Sequence, residues 1–139
     1  MNNFMAKKEL KNILIIEDET DIQFILKMAL EKLDTFNVSY CSSGKEALKS
    51  AEEFQPDLIL LDEMMPGMDG IATFKALRQV PSSKDIPIVF MTAKVQASEK
   101  KQYYELGASD VISKPFDIKN LASRLRQLWD EALNPKDQT

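Results

Sequence analysis

Hydrophobic and polar residues alternate along this chain in a way that predicts five short strands. A continuous apolar run of four or five residues is too short for a helix and is typical of a strand buried on both faces. Runs of this kind occupy residues 12–16, 58–61 and 87–91, whereas residues 36–41 and 111–112 are shorter or mixed stretches rich in β-forming residues. We therefore predict five strands at these positions.

Between the strands, apolar residues recur every three or four positions, which predicts helices with one buried face. The inward face of the first helix is predicted to comprise Ile22, Ile25, Leu26, Ala29, Leu30 and Leu33. The second and third helices offer Ala47, Leu48, Ala51, Phe54, and then Ile71, Phe74 and Leu77. A polar fourth helix follows, and the last helix is predicted to bury Ile118, Leu121, Ala122, Leu125, Leu128 and Trp129.

Capping residues predict where these helices begin and end. Thr20 with Gln23, and Ser43 with Glu46, have the spacing of a capping box, in which two side chains satisfy the first backbone amides of a helix. The remaining caps that we predict are Ser98 and Asp117 at helix starts and Gly107 at a helix end.

Alternating strands and helices predict an α/β fold with a parallel sheet covered by helices on both faces. Right-handed crossovers then bring the carboxyl ends of all strands to one edge of the sheet, where open α/β sheets bind ligands. The polar side chains expected at that edge are Glu17, Asp18, Asp62, Thr92 and Lys114.

The length of 139 residues suits one domain. Residues 1–10 read as a polar N-terminal arm, residues 11–131 as the folded domain, and residues 132–139 as a polar C-terminal tail. We see no internal repeat and no linker.

Composition and charge narrow the possible functions. A net charge of -4 without a Lys/Arg cluster argues against a nucleic-acid partner. The absence of histidine excludes His-based catalytic triads and His-ligated zinc, and a single cysteine, Cys41, excludes an internal disulfide. No signal peptide and no membrane-spanning run are evident, so we expect a soluble cytoplasmic protein without a membrane partner.

The predicted edge has the chemistry of a phosphate and metal site. Carboxylates gathered in one place repel one another unless a cation lies among them, and oxygen ligands alone favour Mg²⁺. Lys114 supplies a positive charge and Thr92 a hydroxyl for phosphoryl oxygens. Asp62, alone at the end of the most buried strand, is the candidate nucleophile for an acyl phosphate.

Four motifs, one per strand end, together resemble the response-regulator receiver domain of two-component signalling. They are the acid pair after Ile-Leu-Ile-Ile, Leu-Leu-Asp-Glu-Met-Met-Pro-Gly-Met-Asp-Gly at residues 60–70, Met-Thr-Ala at 91–93, and Ser-Lys-Pro-Phe at 113–116. The resemblance covers residues 11–131. It implies a flavodoxin-like, doubly wound (βα)5 fold with strand order 2-1-3-4-5, in the manner of CheY.

The resemblance also implies roles for individual residues. Asp62 would be the phosphorylation site, with Thr92 and Lys114 contacting the phosphoryl group. Mg²⁺ would be held by Asp18, Asp62 and the backbone carbonyl of Met64, with Glu17 acting directly or through water. The Lys114-Pro115 peptide bond would be cis. The implied partners are a histidine kinase or phosphotransfer protein and a downstream protein target, with the chain a monomer or weak dimer.

Three positions of this sequence bear on how the phosphorylated state would behave. Three residues before Lys114 the family usually has an aromatic residue or histidine that switches with phosphorylation, whereas this chain has Val111. We therefore expect a response confined largely to the loop of residues 92–97. Met64 and Lys94 lie two residues beyond Asp62 and Thr92, and we expect them to slow self-hydrolysis of the phosphoryl group.

No effector domain follows the last predicted helix, so if the chain is complete, its output goes through a docked partner or onward phosphotransfer. We expect no enzymatic activity apart from its own phosphorylation and dephosphorylation. Two alternatives stay open. One is a Mg²⁺-dependent phosphatase of the haloacid-dehalogenase type, although that family wants an acid where Met64 stands. The other is a phosphate-independent pseudo-receiver, a pure interaction domain.

Overall fold

Five parallel strands form one sheet in the order β2-β1-β3-β4-β5, which confirms the predicted topology. The structure is a computed structural model and describes residues 9–93 and 96–133. The strands are β1 (Asn12–Ile16), β2 (Asn37–Cys41), β3 (Leu58–Asp62), β4 (Ile88–Thr92) and β5 (Asp110–Ser113). The helices are α1 (Thr20–Lys27), α2 (Gly44–Phe54), α3 (Gly70–Arg78), α4 (Ala97–Leu106) and α5 (Ile118–Leu133), and a π-helical turn (Met28–Lys32) continues α1.

A hydrophobic core lies on each face of the sheet. Successive residues of β1 point to opposite faces, so Ile13 and Ile15 pack beneath α1 and α5 while Leu14 and Ile16 pack beneath α2, α3 and α4. All five residues of β3 are buried. This is the burial that the continuous apolar runs predict for a central strand.

The π-helical turn explains why one residue of the predicted buried face of the first helix is exposed. Leu26, Ala29 and Leu30 are buried as predicted, but Leu33 is 62% exposed. The amide of Leu33 donates to the carbonyl of Met28, a five-residue spacing with an N···O distance of 3.0 Å. Because this turn is wider than an α-helical turn, it rotates Leu33 away from the core.

The predicted caps at α2 and at the end of α4 are confirmed. The Ser43 side chain accepts a hydrogen bond from the Glu46 amide at 3.1 Å, and the Glu46 carboxylate accepts one from the Ser42 amide at 2.9 Å. The reciprocal bond therefore reaches one residue further back than in a regular capping box. Gly107 ends α4 in the left-handed conformation, with φ of 109°.

Two other predicted caps are wrong by one or two residues. The N-cap of α1 is Glu19, and Thr20 is already the first helical residue. In α4, Gln96 is the N-cap, so Ser98 lies inside the first turn. Neither Glu19 nor Gln96 makes a side-chain capping bond, so the backbone path rather than cap chemistry fixes these two starts.

The last helix and the last strand match the prediction with small differences. Asp117 directly precedes α5, and its carboxylate accepts a hydrogen bond from the Asn120 side-chain amide at 2.6 Å. Ile118, at the first position of the helix, is 37% exposed and not buried as predicted. The β5 strand includes one more residue at each end than predicted.

The chain termini lie partly outside the described residues. The predicted polar arm and tail fall mainly on residues 1–8 and 134–139, which lie outside them, as does Lys94. Leu10, assigned from sequence to the arm, is buried in the core beneath α5. Within the described ranges, no helix combines the length and apolar character that spanning a membrane requires.

Candidate functional site

The carboxyl ends of four strands bring the predicted site residues to one edge of the sheet. Asp62 and Thr92 are the last residues of β3 and β4, and Glu17 and Lys114 directly follow β1 and β5. The strands are in register here, with Asp62 opposite Met91. The Lys114 amide also donates to the Thr92 carbonyl at 2.9 Å, which extends the sheet by one bond.

Three carboxylates form a compact cluster at this edge. Glu17, Asp18 and Asp62 each offer one oxygen, and these oxygens all lie within 4.8 Å of one another. Glu17 and Asp62 are almost fully buried, and Asp18 is half-buried. Like charges at this separation and burial are unfavourable without a cation between them.

Lys114 offsets part of this negative charge. Its Nζ lies 2.8 Å from Asp62 Oδ1 and 3.4 Å from Glu17 Oε1. Burial alone would lower the pKa of the ammonium group, but the hydrogen bond to Asp62 and the charges of Glu17 and Asp62 outweigh burial and raise it. Lys114 therefore stays charged and fixes the orientation of the Asp62 carboxylate.

Glu17 shows the electrostatic strain of the cluster. Burial, followed by the charge of Asp62, raises the pKa of the Glu17 carboxyl to about 7. Its Oε2 accepts a hydrogen bond from the Glu19 amide at 3.2 Å, and the Glu17 carbonyl accepts one from the Gln23 side chain at 2.5 Å. Both side-chain oxygens of Glu17 are thus engaged, one by Lys114 and one by the start of α1.

The other two carboxylates keep oxygens available for a ligand. Asp18 Oδ1 and Asp62 Oδ2 are buried and accept no hydrogen bond from the part of the chain that the structure describes. A buried carboxylate oxygen without a donor is costly, and a bound cation removes that cost. An all-oxygen donor set of this kind fits Mg²⁺, which binds through one or two carboxylates and retains several waters.

The loop between β3 and α3 shapes one wall of the site. Gly70 packs so closely on the strand end that a Cβ there would lie 2.5 Å from the Asp62 carbonyl oxygen. Only glycine permits this approach, which draws the loop over the site. The Met64 amide donates to Asp62 Oδ1 at 3.3 Å, while the Met64 side chain is 68% exposed. Met65 turns inward and is buried.

Thr92 and Val111, the two predicted switch residues, are both buried. Thr92 lies at the same edge as Asp62 and Lys114, and Val111 is one strand away, opposite Phe90 in the register of β4 and β5. Val111 has no polar atom in its side chain, so it takes no part in the hydrogen bonding of the site. The Lys114–Pro115 peptide bond is cis, as the resemblance implied.

Comparison with known protein families identifies the family of this chain. The family model described as "Response regulator receiver domain" matches residues 13–126, which include all four strand-end motifs. The chain belongs to the response-regulator receiver family. Membership of this family argues against the haloacid-dehalogenase-type phosphatase, one of the two alternatives that the sequence left open.

Curated relatives of this receiver are transcriptional regulators about twice its length. The receiver is 41% identical over 118 residues to "Alkaline phosphatase synthesis transcriptional regulatory protein PhoP" of Bacillus subtilis, covering 85% of this chain and 48% of that protein. It is 38% identical over 120 residues to "Transcriptional regulatory protein ResD" of the same organism, covering 86% and 48%. The chain therefore spans about half the length of these relatives.

Solved receivers have the same fold. The chemotaxis protein CheY4 of Vibrio cholerae superposes with a TM-score of 0.78 at 27% identity, covering 86% of this chain and 98% of that one. The receiver domain of sensor histidine kinase PA1611 from Pseudomonas aeruginosa gives a TM-score of 0.77 at 27% identity, with the same coverage. That structure is described as having a magnesium ion coordinated in the active site cleft.

Two buried residues of the receiver were not identified from the sequence. Glu63, directly after Asp62, is buried although it is an acid. Tyr103, in the polar helix α4, has no exposed surface at all. A single buried residue in a helix produces no hydrophobic periodicity, so the sequence pattern of α4 does not predict the burial of Tyr103.

Proposed function

We propose that this receiver is a phosphoacceptor switch in which Asp62 takes a phosphoryl group from the phosphohistidine of a histidine kinase or phosphotransfer protein. The observation that carries the proposal is the position of the Asp62 carboxylate. It is 1% exposed, and it lies 2.8 Å from the Lys114 ammonium and beside the carboxylates of Glu17 and Asp18. A positioned carboxylate among charges of both signs suits phosphoryl transfer, which needs positioning and charge neutralisation rather than a strong base.

Asp18 and Asp62 would hold Mg²⁺ through their unbonded oxygens, together with the Met64 carbonyl. Glu17 would act through water, because its two oxygens already accept hydrogen bonds from Lys114 and the Glu19 amide. When bound, the metal would neutralise negative charge on the phosphoryl oxygens. The cluster of Glu17, Asp18 and Asp62 supports this part of the proposal.

The transfer step follows from the orientation of Asp62. One carboxylate oxygen forms a bond to phosphorus as the nitrogen–phosphorus bond of the donor's phosphohistidine breaks. The bonding pair stays on the imidazole nitrogen, which takes a proton from solvent. Lys114 then pairs with the phosphoryl oxygens, and the Thr92 hydroxyl donates a charge-assisted hydrogen bond to one of them.

The signal would pass from the phosphorylated receiver to a downstream protein target. The relatives' names describe transcriptional regulators, and the chain covers about half of each. The relatives thus support an output in gene regulation through a partner or a further domain. We expect the receiver itself to contact protein rather than nucleic acid, given its net charge of -4.

Intact-mass spectrometry after incubation with acetyl phosphate and Mg²⁺ tests the proposal. We expect the wild type to gain the mass of one phosphoryl group, and Asp62→Asn to gain none. The matched control is Asp69→Asn, which changes an acid in the same loop. Asparagine preserves the hydrogen bond that Asp69 accepts from the Ala72 amide at 2.8 Å.

The control should be phosphorylated as the wild type is. Modification that persists in Asp62→Asn or in excess chelator would contradict the proposal. A wild type that gains no mass from acetyl phosphate or from a phosphorylated histidine kinase would instead support the phosphate-independent pseudo-receiver.

A further inference from the structure

Helix α4 is attached to the sheet mainly through one aromatic ring. Tyr103 is the only buried side chain among the residues of α4 (Ala97–Leu106), and Leu106 is partly buried beside it. By contrast, α5 buries Leu121, Ala122, Leu125 and Trp129. A helix with so few buried apolar contacts has a low free energy of local opening and is the element most easily displaced.

The ring of Tyr103 rests on the strand that carries Thr92. Its centroid lies 4.7 Å from that of Phe90, with 42° between the ring planes. Phe90 precedes Thr92 by two positions in β4, so the two side chains leave the sheet on the same face. A shift of the β4 end caused by Thr92 would therefore move the surface on which Tyr103 packs.

The other neighbours of Phe90 make this packing stiff. Phe90 also stacks on Phe74 of α3, with centroids 5.5 Å apart, and the Arg78 guanidinium lies 4.8 Å from the centre of the Phe74 ring. Val111 of β5 lies opposite Phe90 in register and is fully buried. A close-packed row of this kind moves as a unit, because no void absorbs the displacement.

We propose that Tyr103 is the positioning residue that couples the phosphoryl site to helix α4, through the contact of its ring with Phe90. Drawing Thr92 toward a phosphoryl group shifts the end of β4 and the Phe90 ring with it. Since Tyr103 anchors α4, the helix follows. The response then includes α4, whereas Val111 considered alone predicts a response confined to the loop of residues 92–97.

This inference rests on the proposed function of Asp62, but it does not require Tyr103 to take part in the chemistry at Asp62. Tyr103 is not one of the carboxylates of the cluster, so we expect its substitution to leave phosphorylation intact and to remove only the transmission. Coupling of this kind requires that the ring pack differently in the two states of β4, since a phosphoryl group shifts an equilibrium only by its differential interaction with the two states.

Hydrogen–deuterium exchange of α4, with and without beryllofluoride and Mg²⁺, tests the coupling. In the wild type we expect exchange in α4 peptides to change by about fivefold or more on adding beryllofluoride. In Tyr103→Leu, which keeps apolar bulk but removes the ring, this change should fall to less than about twofold. Tyr103→Phe retains the ring and should respond as the wild type does.

The matched control is Gln102→Ala, at the exposed position next to Tyr103 on the same helix. It should leave the response unchanged. A purely structural role for Tyr103 would raise exchange in α4 equally with and without beryllofluoride, and that result would overturn the proposal. An α4 response in Tyr103→Leu equal to that of the wild type would overturn it as well.

Intact mass of the same variants separates this inference from the proposed function. If Tyr103→Leu is phosphorylated on Asp62 like the wild type and loses the α4 response, the proposed function and the coupling both hold. If phosphorylation occurs in both proteins but α4 of the wild type does not respond, the coupling is wrong and the proposed function stands. Failure of the wild type to be phosphorylated would contradict the proposed function and the coupling with it.

Discussion

At the scale of single residues, hydrogen bonding divides the three carboxylates of the site into different roles. Both Glu17 oxygens accept hydrogen bonds, whereas Asp18 Oδ1 and Asp62 Oδ2 accept none from the described residues. Lys114 binds the other oxygen of Asp62 at 2.8 Å. The oxygens available to a metal are therefore those of the two aspartates, and Glu17 is held in place behind them by Lys114 and the Glu19 amide.

This division predicts unequal effects on metal affinity. We expect Asp18→Ala to weaken Mg²⁺ binding by about 100-fold or more, because a direct ligand is lost, and Glu17→Ala by about tenfold, because an outer contact is lost. Titration of Mg²⁺ followed by amide chemical shifts measures both. Asp21→Ala, an exposed acid in the first turn of α1, is the control and should bind normally. Equal losses in the two cluster variants would contradict the assigned roles.

A second residue-scale prediction concerns the lifetime of the phosphorylated state. The Met64 side chain is exposed at the mouth of the site and offers no strong hydrogen bond to orient an attacking water. Met64→Asn supplies such a group, so we expect its phosphoryl group to be lost severalfold faster. The decay of phosphorylated protein after removal of the donor gives the rate. Met28→Asn, at an exposed methionine of the π-helical turn, is the control, and an unshortened lifetime in Met64→Asn would count against the mechanism.

At the scale of elements, polar contacts join α4, β5 and α5 around Asp110. Its Oδ1 accepts a hydrogen bond from the Tyr104 hydroxyl at 2.5 Å, and its Oδ2 accepts one from the Arg124 guanidinium at 2.8 Å. Burial of Asp110 acts to raise its pKa, but the hydrogen bonds from Tyr104 and Arg124 outweigh burial and lower it. The ionised carboxylate is therefore favoured in the folded state.

The lowered pKa of Asp110 predicts a pH-dependent contribution to stability. The contribution is present above the ordinary value of 3.8 and is lost as pH falls through the lower folded value. At pH 7 we expect Asp110→Asn to lower the free energy of unfolding by about 1 kcal/mol, a modest amount because Arg124 is half-exposed and screened by water. Urea unfolding at pH 7 and pH 3 measures the difference between the variant and the wild type.

That difference should narrow at pH 3, because pH 3 lies below the ordinary pKa of 3.8 and the carboxyl of the unfolded chain is then largely protonated. Asp130→Asn, at an exposed position of α5, is the control and should match the wild type at both pH values. A difference that is the same size at pH 3 and pH 7 would show that Asp110 acts by packing and not by its charge.

The elements also show how far the sequence alone predicts this receiver. The continuous apolar runs placed β1, β3 and β4 within one residue, because a strand buried on both faces requires such a run. Leu33 was misassigned because a five-residue turn has no signal in a pattern read at three and four residues. Tyr103 was missed because one anchor residue in a polar helix makes no periodic face.

For the site, the motifs placed the polar residues at the correct edge, but they did not give the bonds among them. The ion pair of Lys114 with Asp62 joins residues 52 positions apart, and the pair with Glu17 joins residues 97 apart. Contacts of that separation follow from the strand order, which the spacing of motifs does not determine. Which carboxylate oxygens stay unbonded depends on these contacts.

At the scale of the whole molecule, the site concentrates negative charge at one edge of the sheet. Asp62 ends β3 and Asp18 follows the end of β1, and both of these inner strands are packed on both faces. Repulsion within the cluster therefore opposes the folded state as a whole. A cation that binds only the folded receiver relieves this repulsion and stabilises the entire domain.

We accordingly predict that Mg²⁺ raises the thermal midpoint of unfolding. At a concentration about ten times the dissociation constant, binding adds about 1.4 kcal/mol, which corresponds to a rise of about 5 °C for a domain of this size. Differential scanning fluorimetry at constant ionic strength measures the shift. Asp18→Ala should show almost none, and a shift of equal size in that variant would place the metal elsewhere.

The central claim is that Asp62 is the phosphoacceptor and that a divalent ion is required. Peptide-resolved tandem mass spectrometry, after phosphorylation by acetyl phosphate or a phosphorylated histidine kinase, tests it most directly. We predict one phosphoryl group, located on Asp62 within residues 58–70, and its absence when chelator replaces Mg²⁺. A phosphoryl group on another residue, or equal modification of Asp62 in chelator, would contradict the claim.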